Sequence, residues 1–232
     1  MTDIQIDAAD GGTFNAYFAR PASGTGPGIV VIQEIFGVND VMRKTCDDLA
    51  KDGYFALCPD LFWRQTPGVQ LTDKTEEEWA KAFELMKGFS ATRGIEDLIA
   101  SLDHLRGFEG CTGKVGTIGY CLGGKLAFLM ATRSDADCNV SYYGVGIENS
   151  LDEANAITKP LLMHVAKKDK FSSPEAQAQI RDVLGKNICV TIHTYPGCDH
   201  AFARVGGEHY DREAAELANR RSAAFLAENL RE

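Results

Sequence analysis

Short runs of apolar and β-branched residues alternate along the chain with segments whose apolar residues recur every three or four positions. This alternation is typical of an α/β protein in which helices cover both faces of a mostly parallel central sheet. Near-continuous apolar runs indicate strands that are buried on both faces. The predicted strands are Gly28–Gln33, Tyr54–Cys58, Lys114–Ile118, Asn139–Tyr143, Leu161–Val165 and Ile188–Tyr195.

Two segments with alternating apolar and polar residues, Ile4–Asp7 and Thr13–Ala19, precede these strands. The sequence Asp10-Gly11-Gly12 between them favours a tight turn, so the pattern predicts an antiparallel hairpin at the edge of the sheet. The segment Leu61–Thr72 shows neither period and contains proline and glycine. It is predicted to be a loop over one end of the sheet.

Helical signals are clearest in three segments. Thr75–Glu78 has the form of a capping box and begins one helix, in which Gly88 and Gly94 are predicted breaks. A second helix ends at Gly107 and turns one apolar face to the sheet, formed by Ile95, Leu98, Ile99, Leu102 and Leu105. The last helix, near Asp211–Glu228, is predicted to present one stripe, formed by Ala214, Leu217, Ala218, Arg221 and Phe225.

Composition narrows the classes of function. The 232 residues suffice for one domain spanning 1–232, and no repeat or linker divides them. Lys and Arg number 24 against 33 Asp and Glu, and the formal net charge of -9 disfavours binding to nucleic acids. No apolar run reaches the ~18 residues of a membrane span, and the N-terminus lacks a basic then apolar leader. A cytoplasmic protein without membrane contact is expected.

Seven cysteines form no C-x-x-C pair, so free thiols are expected rather than disulfides or a metal site. Cys121 lies in Gly119-Tyr120-Cys121-Leu122-Gly123-Gly124, between the strand Lys114–Ile118 and the helical run Lys125–Thr132. A sharp turn from strand to helix strains its central residue, and flanking glycines supply clearance. The helix N-terminus also favours a thiolate and a developing oxyanion. Cys121 is therefore the predicted nucleophile; the alternative is a buried thiol that serves close packing only.

A cysteine nucleophile needs a base within hydrogen-bonding reach. His200 is the candidate, because it alone among the five histidines follows a late strand in a loop. The other four are interpreted as surface or packed histidines: His104, His164, His193 and His209.

The base in turn needs an acid that orients it, and two aspartates compete. Asp169 follows the strand Leu161–Val165, at the carboxyl edge of the sheet. Asp199 is adjacent to His200, but a neighbour on an extended loop tends to point away, so Asp169 is preferred. The chain order Cys121, Asp169, His200 is then that of the α/β-hydrolases.

Glu34 stands directly after an apolar strand, where a charge is unexpected because a buried carboxylate needs partners. The alternative is a solvated loop acid.

With these residues assembled, the chain resembles the dienelactone hydrolase family, also called carboxymethylenebutenolidases, over nearly its whole length. The shared motifs are Gln33-Glu34-Ile35-Phe36-Gly37, Cys58-Pro59-Asp60-Leu61, Gly119-Tyr120-Cys121-Leu122-Gly123-Gly124, Tyr142-Tyr143-Gly144 and His200-Ala201-Phe202-Ala203-Arg204. The resemblance implies an α/β-hydrolase fold with Cys121, His200 and Asp169 as catalytic triad. It also implies that the backbone N–H groups of Ile35 and Leu122 form an oxyanion hole, and that Glu34 contacts the resting thiol.

The family's substrate is a dienelactone that carries a carboxylate, and the product is maleylacetate. The resemblance implies substrate contacts from Phe36, Trp79, Tyr143 and Arg204, without a metal or cofactor. Arg204 matches one of the arginines that hold the carboxylate. Trp79 stands where the family has a second arginine, so a more apolar pocket is expected, unless Arg64 or Lys81 substitutes.

Two functions are compatible with these residues. The first is a hydrolase of small lactones or esters that works through a Cys121 acyl-enzyme, for which a monomer would suffice. The second is a non-catalytic protein on a hydrolase-like fold that binds a small ligand or senses oxidants, with Cys198 as resolving thiol.

Overall fold

The computed structural model describes residues 2–231. Within this range it contains eight strands, six α-helices and one 3-10 helix. In chain order these are β1 (Thr2–Asp7), β2 (Thr13–Ala19), β3 (Gly26–Ile32), α1 (Asp40–Lys51), β4 (Phe55–Pro59), α2 (Glu76–Gly88), α3 (Ala91–Arg106), β5 (Cys111–Tyr120), α4 (Leu122–Arg133), β6 (Asn139–Tyr142), the 3-10 helix Ile147–Ala156, β7 (Leu161–Ala166), α5 (Pro174–Leu184), β8 (Val190–Tyr195) and α6 (Arg212–Leu230).

The chain divides into two compact units, and the boundary between Gly116 and Thr117 falls inside β5. In the first unit the strand order is β1-β2-β4-β3; β2 is antiparallel to both neighbours, and β3 is parallel to β4. In the second unit β5, β6, β7 and β8 follow one another and are all parallel. Mostly parallel strands alternating with helices confirm the predicted α/β class. The single domain over 1–232 stays a prediction.

The core of the first unit is built on β3 and β4, in which every residue is buried. Because successive side chains of a strand point to opposite faces, both faces of these strands are covered. Helices α1 and α3 pack against them, and α3 buries its predicted apolar face except for Ile99, which is half-buried. The predicted hairpin is confirmed as β1 and β2.

One of the two predicted glycine breaks is wrong. Helix α2 ends at Gly88, as expected, but Gly94 lies inside α3, which begins after the cap Ser90. A Cβ atom at Gly94 would come within 2.3 Å of the Phe89 ring. This glycine therefore permits close packing and does not interrupt the helix.

In the second unit, β6 is buried throughout and β7 almost throughout, with α4 packed on β6 and α6 on β7. The stripe predicted for α6 is shifted. Leu217 is exposed, and the buried positions are Ala215, Ala218, Ser222, Leu226 and Leu230. The shift arises because polar Ser222 belongs to the core, where its hydroxyl bonds to Tyr142 and His164.

Other departures concern weak patterns. Helices α1 and α5 were not predicted, since the buried faces of both rest largely on small or polar residues such as Cys46 and Gln177. Strand β8 begins at Val190, and Ile188, which was expected within it, is fully exposed.

The segment Leu61–Thr72 is a loop, as predicted, apart from one bridge between Gly37 and Gln70. No helix between residues 2 and 231 is long and apolar enough to cross a membrane.

Candidate active site

Cys121 forms the turn between β5 and α4 and has φ 55° and ψ -113°. A positive φ is costly for a residue with a side chain, and such strain is concentrated at functional sites. The thiol is buried at the first turn of α4, where backbone N–H groups lack acceptors within the helix. The neighbouring N–H of Leu122, predicted to form half of an oxyanion hole, belongs to this turn.

The glycines around Cys121 are required by close backbone approach. A Cβ atom at Gly119 would lie 1.9 Å from the carbonyl oxygen of Gly123. At Gly124 it would lie 2.4 Å from the carbonyl oxygen of Tyr142. The turn therefore has room for backbone only, as the spacing of the motif predicts.

His200 and Asp169 meet at the carboxyl ends of β7 and β8. The Asp169 Oδ2 atom lies 2.8 Å from His200 Nδ1, and both side chains are buried. The other carboxylate oxygen of Asp169 accepts a hydrogen bond from the backbone N–H of Phe171 at 2.8 Å. Both oxygens are thus fixed, and the pair has the geometry expected of a histidine and its orienting acid.

Asp199, the other candidate acid, accepts hydrogen bonds from the backbone. Its Oδ1 atom accepts a hydrogen bond from the backbone N–H of His200 at 2.6 Å and another from Lys170 at 3.4 Å. Its Oδ2 atom lies 3.9 Å from His209. Asp199 therefore ties the backbone of the His200 loop to that of the Asp169 turn.

The charges in this group raise the pKa of His200 to about 10. Burial lowers this pKa, but the charge and hydrogen bond of Cys121 and the hydrogen bond that His200 donates to Asp169 outweigh burial. The folded chain binds the proton more tightly than the unfolded chain, so this contribution to stability is present below pH 6.5 and lost as the pH rises toward 10.

Aromatic rings enclose the imidazole. Tyr143 and Phe171 both meet the His200 ring edge to face, with centroids 5.2 and 4.9 Å away. Tyr143 has φ 38°, and its N–H donates to the His164 carbonyl oxygen at 2.8 Å. Phe171 is 37% exposed and was not among the predicted site residues; its position two residues after Asp169 is the signal that could have found it.

Arg204 lies in the turn that follows His200. Ala201, between them, has φ 62°, and its carbonyl oxygen accepts from the Arg204 N–H at 2.9 Å. The Arg204 side chain is only 8% exposed. Burial of a guanidinium four residues after the base is unusual for a turn, because desolvating a charge is costly.

Four predicted site residues belong to the first unit. Glu34 is 3% exposed, which excludes the interpretation as a solvated loop acid, and the next residue, Ile35, is buried as well. Phe36 and Trp79 meet edge to face, with ring centroids 5.0 Å apart. Trp79 also donates its Nε1–H to the Asp73 carbonyl oxygen at 3.0 Å, which fixes the indole.

Arg64 is held by carboxylates in the first unit. Its guanidinium binds both oxygens of Asp97, a side chain that is 1% exposed, and also binds Asp10 at 2.8 Å. Lys81 pairs with Glu84 on the surface of α2. Arg64 is therefore engaged in anchoring its loop, which argues against its service as the second carboxylate-binding arginine.

All seven cysteines lie in the described range, and all are free thiols. Burial, with a smaller contribution from Asp211, raises the pKa of the Cys198 thiol. Across residues 2–231, no group of three or more His, Cys, Asp or Glu side chains is arranged to hold a metal ion.

With the geometry established, comparison with known proteins identifies the family. The model of the dienelactone hydrolase family matches residues 14–230. The chain belongs to the dienelactone hydrolase family. It is 54% identical to a provisionally named carboxymethylenebutenolidase of Azospirillum brasilense, over 99% of this chain and 100% of that one. It is 41% identical to a carboxymethylenebutenolidase of Pseudomonas putida, over 97% of this chain and 95% of the other.

Solved structures agree with the family assignment. A provisionally named dienelactone hydrolase from Klebsiella pneumoniae has a TM-score of 0.84 and 28% identity, with 97% of each chain covered. The predicted α/β-hydrolase fold is thereby confirmed. Membership of this family makes the chain a hydrolase of carboxylic esters.

Proposed function

We propose that this dienelactone hydrolase family member opens dienelactones to maleylacetate, or hydrolyses a related small lactone or ester, through a Cys121 acyl-enzyme. One observation carries the proposal: the His200 imidazole is hydrogen-bonded to buried Asp169, and Cys121, which acts on the pKa of that imidazole, stands strained at the start of α4. Nucleophile, base and orienter then act as one unit. Family membership supports the substrate class.

In the proposed reaction, the Cys121 thiolate attacks the lactone carbonyl carbon and the ring C–O bond breaks. The N–H of Leu122, with that of Ile35 in the arrangement the family implies, stabilises the charge on the carbonyl oxygen. His200 donates its proton to the departing oxygen and then takes a proton from water. The resulting hydroxide hydrolyses the thioester, which releases the acid and restores the thiolate.

Glu34 is proposed to contact the thiol in the resting state. A carboxylate that is 3% exposed at the end of a buried strand has lost most of its hydration. Such a group is retained where it serves a reaction, and the family pattern gives it this role. The cytoplasmic location and the sufficiency of a monomer stay predictions.

Two observations argue against the non-catalytic alternative. A redox sensor with Cys198 as resolving thiol needs a thiol that ionises readily, whereas the pKa of Cys198 is raised. A protein that only binds a ligand has no need of a buried histidine–aspartate pair or of a cysteine strained at the start of a helix. Catalysis uses both features.

The nucleophile is tested by replacing each of two thiols. Cys121→Ser should lower hydrolysis of cis- and trans-dienelactone by about a thousandfold or more, because a serine hydroxyl ionises far less readily than a thiol. Cys198→Ser, the matched control, should retain most activity. Mass spectrometry of acid-quenched wild-type protein should find the acyl group on Cys121. Equal losses in the two folded variants, or an acyl group elsewhere, would refute the proposed nucleophile.

Substrate charge is tested at Arg204. Arg204→Ala should lower kcat/KM for an anionic dienelactone roughly tenfold to a hundredfold more than for a neutral aryl ester, the range for loss of one charged hydrogen bond. Trp79→Arg should shift the preference toward the anion. If Arg204→Ala affects both substrates equally, the carboxylate role is wrong and Arg204 positions the His200 loop.

A further inference from the structure

The turn that carries Asp169 is held on one side by the loop of His200, because the Lys167 and Lys168 N–H groups donate to the carbonyl oxygens of Tyr195 and Cys198 at 3.0 and 2.9 Å. Its own backbone hydrogen bonds are longer. The Asp169 N–H donates to the Ala166 carbonyl oxygen at 3.4 Å, and the Ser172 N–H donates to the Asp169 carbonyl oxygen at 3.2 Å. Both distances are long for hydrogen bonds of this type. A cavity of about 10 Å³ lies against Ala166, Asp169 and Ser172. Packing beside these three residues is therefore incomplete.

Gln177, the fourth residue of α5, contacts the backbone at both ends of the Asp169 turn. Its Nε2 atom lies 2.9 Å from the Ser172 carbonyl oxygen, 3.2 Å from that of Ala166 and 3.4 Å from that of Lys167. All three partners are acceptors, so only the amide nitrogen can face them. The side chain is 1% exposed. One amide thus joins the residues that enter and leave the Asp169 turn.

We infer that Gln177 is a positioning residue of the hydrolase: its amide clamps both ends of the Asp169 turn and so fixes the carboxylate against His200. The inference rests on the proposed function, in which Asp169 orients the base. A displacement of about 1 Å in a catalytic group can cost about a hundredfold in rate. The amide holds the backbone before and after Asp169, at Ala166 and Ser172. Movement of the Asp169 carboxylate is restricted because both ends of its turn are fixed.

The experiment compares Gln177→Met with Gln179→Met. Both positions lie on α5, but Gln179 is exposed, so the second variant is a matched control. Gln177→Met should lower kcat tenfold to a hundredfold with KM nearly unchanged, since the substrate does not touch this side chain. The His200 imidazole, followed by NMR, should lose its proton at a lower pH than in the wild type. Gln179→Met should match the wild type in both measurements.

A double-mutant cycle decides whether the effect passes through Asp169. In an Asp169→Asn background, Gln177→Met should cause little further loss of kcat. A folded Gln177→Met protein with wild-type kcat and His200 titration, or a loss that simply multiplies with that of Asp169→Asn, overturns the inference. If Gln177→Met does not fold, Gln177→Glu carries the same measurements, because it keeps the shape of the side chain and removes the amide donors.

Failure of the proposed function would give a different result from failure of the Gln177 clamp. Wild-type protein that does not hydrolyse lactones or esters would refute the proposed function and leave the His200 titration in the Gln177 variants to test the clamp. A shifted titration would then support the clamp without the reaction.

Discussion

Two side chains in the second unit act on the protonation of His200. The charges and hydrogen bonds of Cys121 and Asp169 raise the pKa of the imidazole to about 10, despite the opposing effect of burial. Asp199, although adjacent to His200 in sequence, accepts hydrogen bonds from the backbone N–H groups of His200 and Lys170.

This difference separates the two aspartates in an experiment. Asp169→Asn should lower kcat by up to about 10⁴-fold, because the amide favours the wrong tautomer of the base, with KM nearly unchanged. It should also move the alkaline limb of the rate profile to lower pH, because one of the interactions that raise the pKa of His200 is lost. Asp199→Asn keeps an oxygen acceptor and should cost less than about tenfold. A severe Asp199 variant beside a near-normal Asp169 variant would reverse the assignment.

At the scale of elements, the turn between β5 and α4 is tightly constrained. Cys121 has a positive φ, and the backbone at Gly119 approaches that of Gly123 so closely that a methyl group has no space. Strain of this kind persists only where the surrounding elements hold it, here the hydrogen bond from the Cys121 N–H to the Tyr142 carbonyl oxygen at 3.1 Å.

Gly119→Ala should therefore reduce both stability and activity. Overpacking costs about 1–3 kcal/mol, and each kcal/mol lowers Tm by roughly 2–4 °C in a chain of this length. Gly197→Ala is the control, since a Cβ atom there meets nothing within 4 Å. Thermal denaturation and kcat should be measured on both variants. A Gly119→Ala protein with wild-type Tm and kcat would contradict the proposed constraint.

At the scale of the molecule, a chain of hydrogen bonds holds α6 against the strands of the second unit. Arg221 donates to the Tyr195 hydroxyl at 3.2 Å, which lies 2.8 Å from His164 Nδ1. His164 Nε2 lies 2.9 Å from the Ser222 hydroxyl, which lies 2.7 Å from that of Tyr142. Every member is satisfied when His164 is neutral, because one ring nitrogen then accepts and the other donates. The network is distinct from the catalytic group.

The network predicts a loss of stability in acid. Burial, with the charges of His193 and Arg221, lowers the pKa of His164 to about 3. The unfolded chain therefore binds this proton first, so the stabilisation is present above pH 6.5 and is lost as the pH falls toward 3. Between pH 6 and 4, the free energy of unfolding of His164→Gln should fall less steeply than that of the wild type, by up to about 1.4 kcal/mol per pH unit. Urea titrations at each pH measure the slopes, with His104→Gln as control; equal slopes in all three proteins would contradict the prediction.

The sequence by itself determined whatever depends on local spacing. Apolar runs and alternation predicted all eight strands, and a spacing of three and four residues predicted the amphipathic α3, because these patterns are set by residues close in the chain. The glycines at fixed offsets from Cys121 specified a turn with room for backbone only. Position after a strand was enough to single out His200 and Asp169, since parallel strands end at one edge.

Only the tertiary structure decided which polar residues enter the core. Ser222 is buried in α6, and Gln177 in α5, because each finds hydrogen-bonding partners on elements distant in the chain. A hydropathy pattern places both at the surface, since burial of a polar group is favourable only with a partner that the pattern does not show. For the same reason the sequence predicts a helix break at Gly94, whereas the structure requires a glycine there because the Phe89 ring leaves no space for a side chain. Local periodicity fixes the elements; partners that are remote in sequence fix their faces.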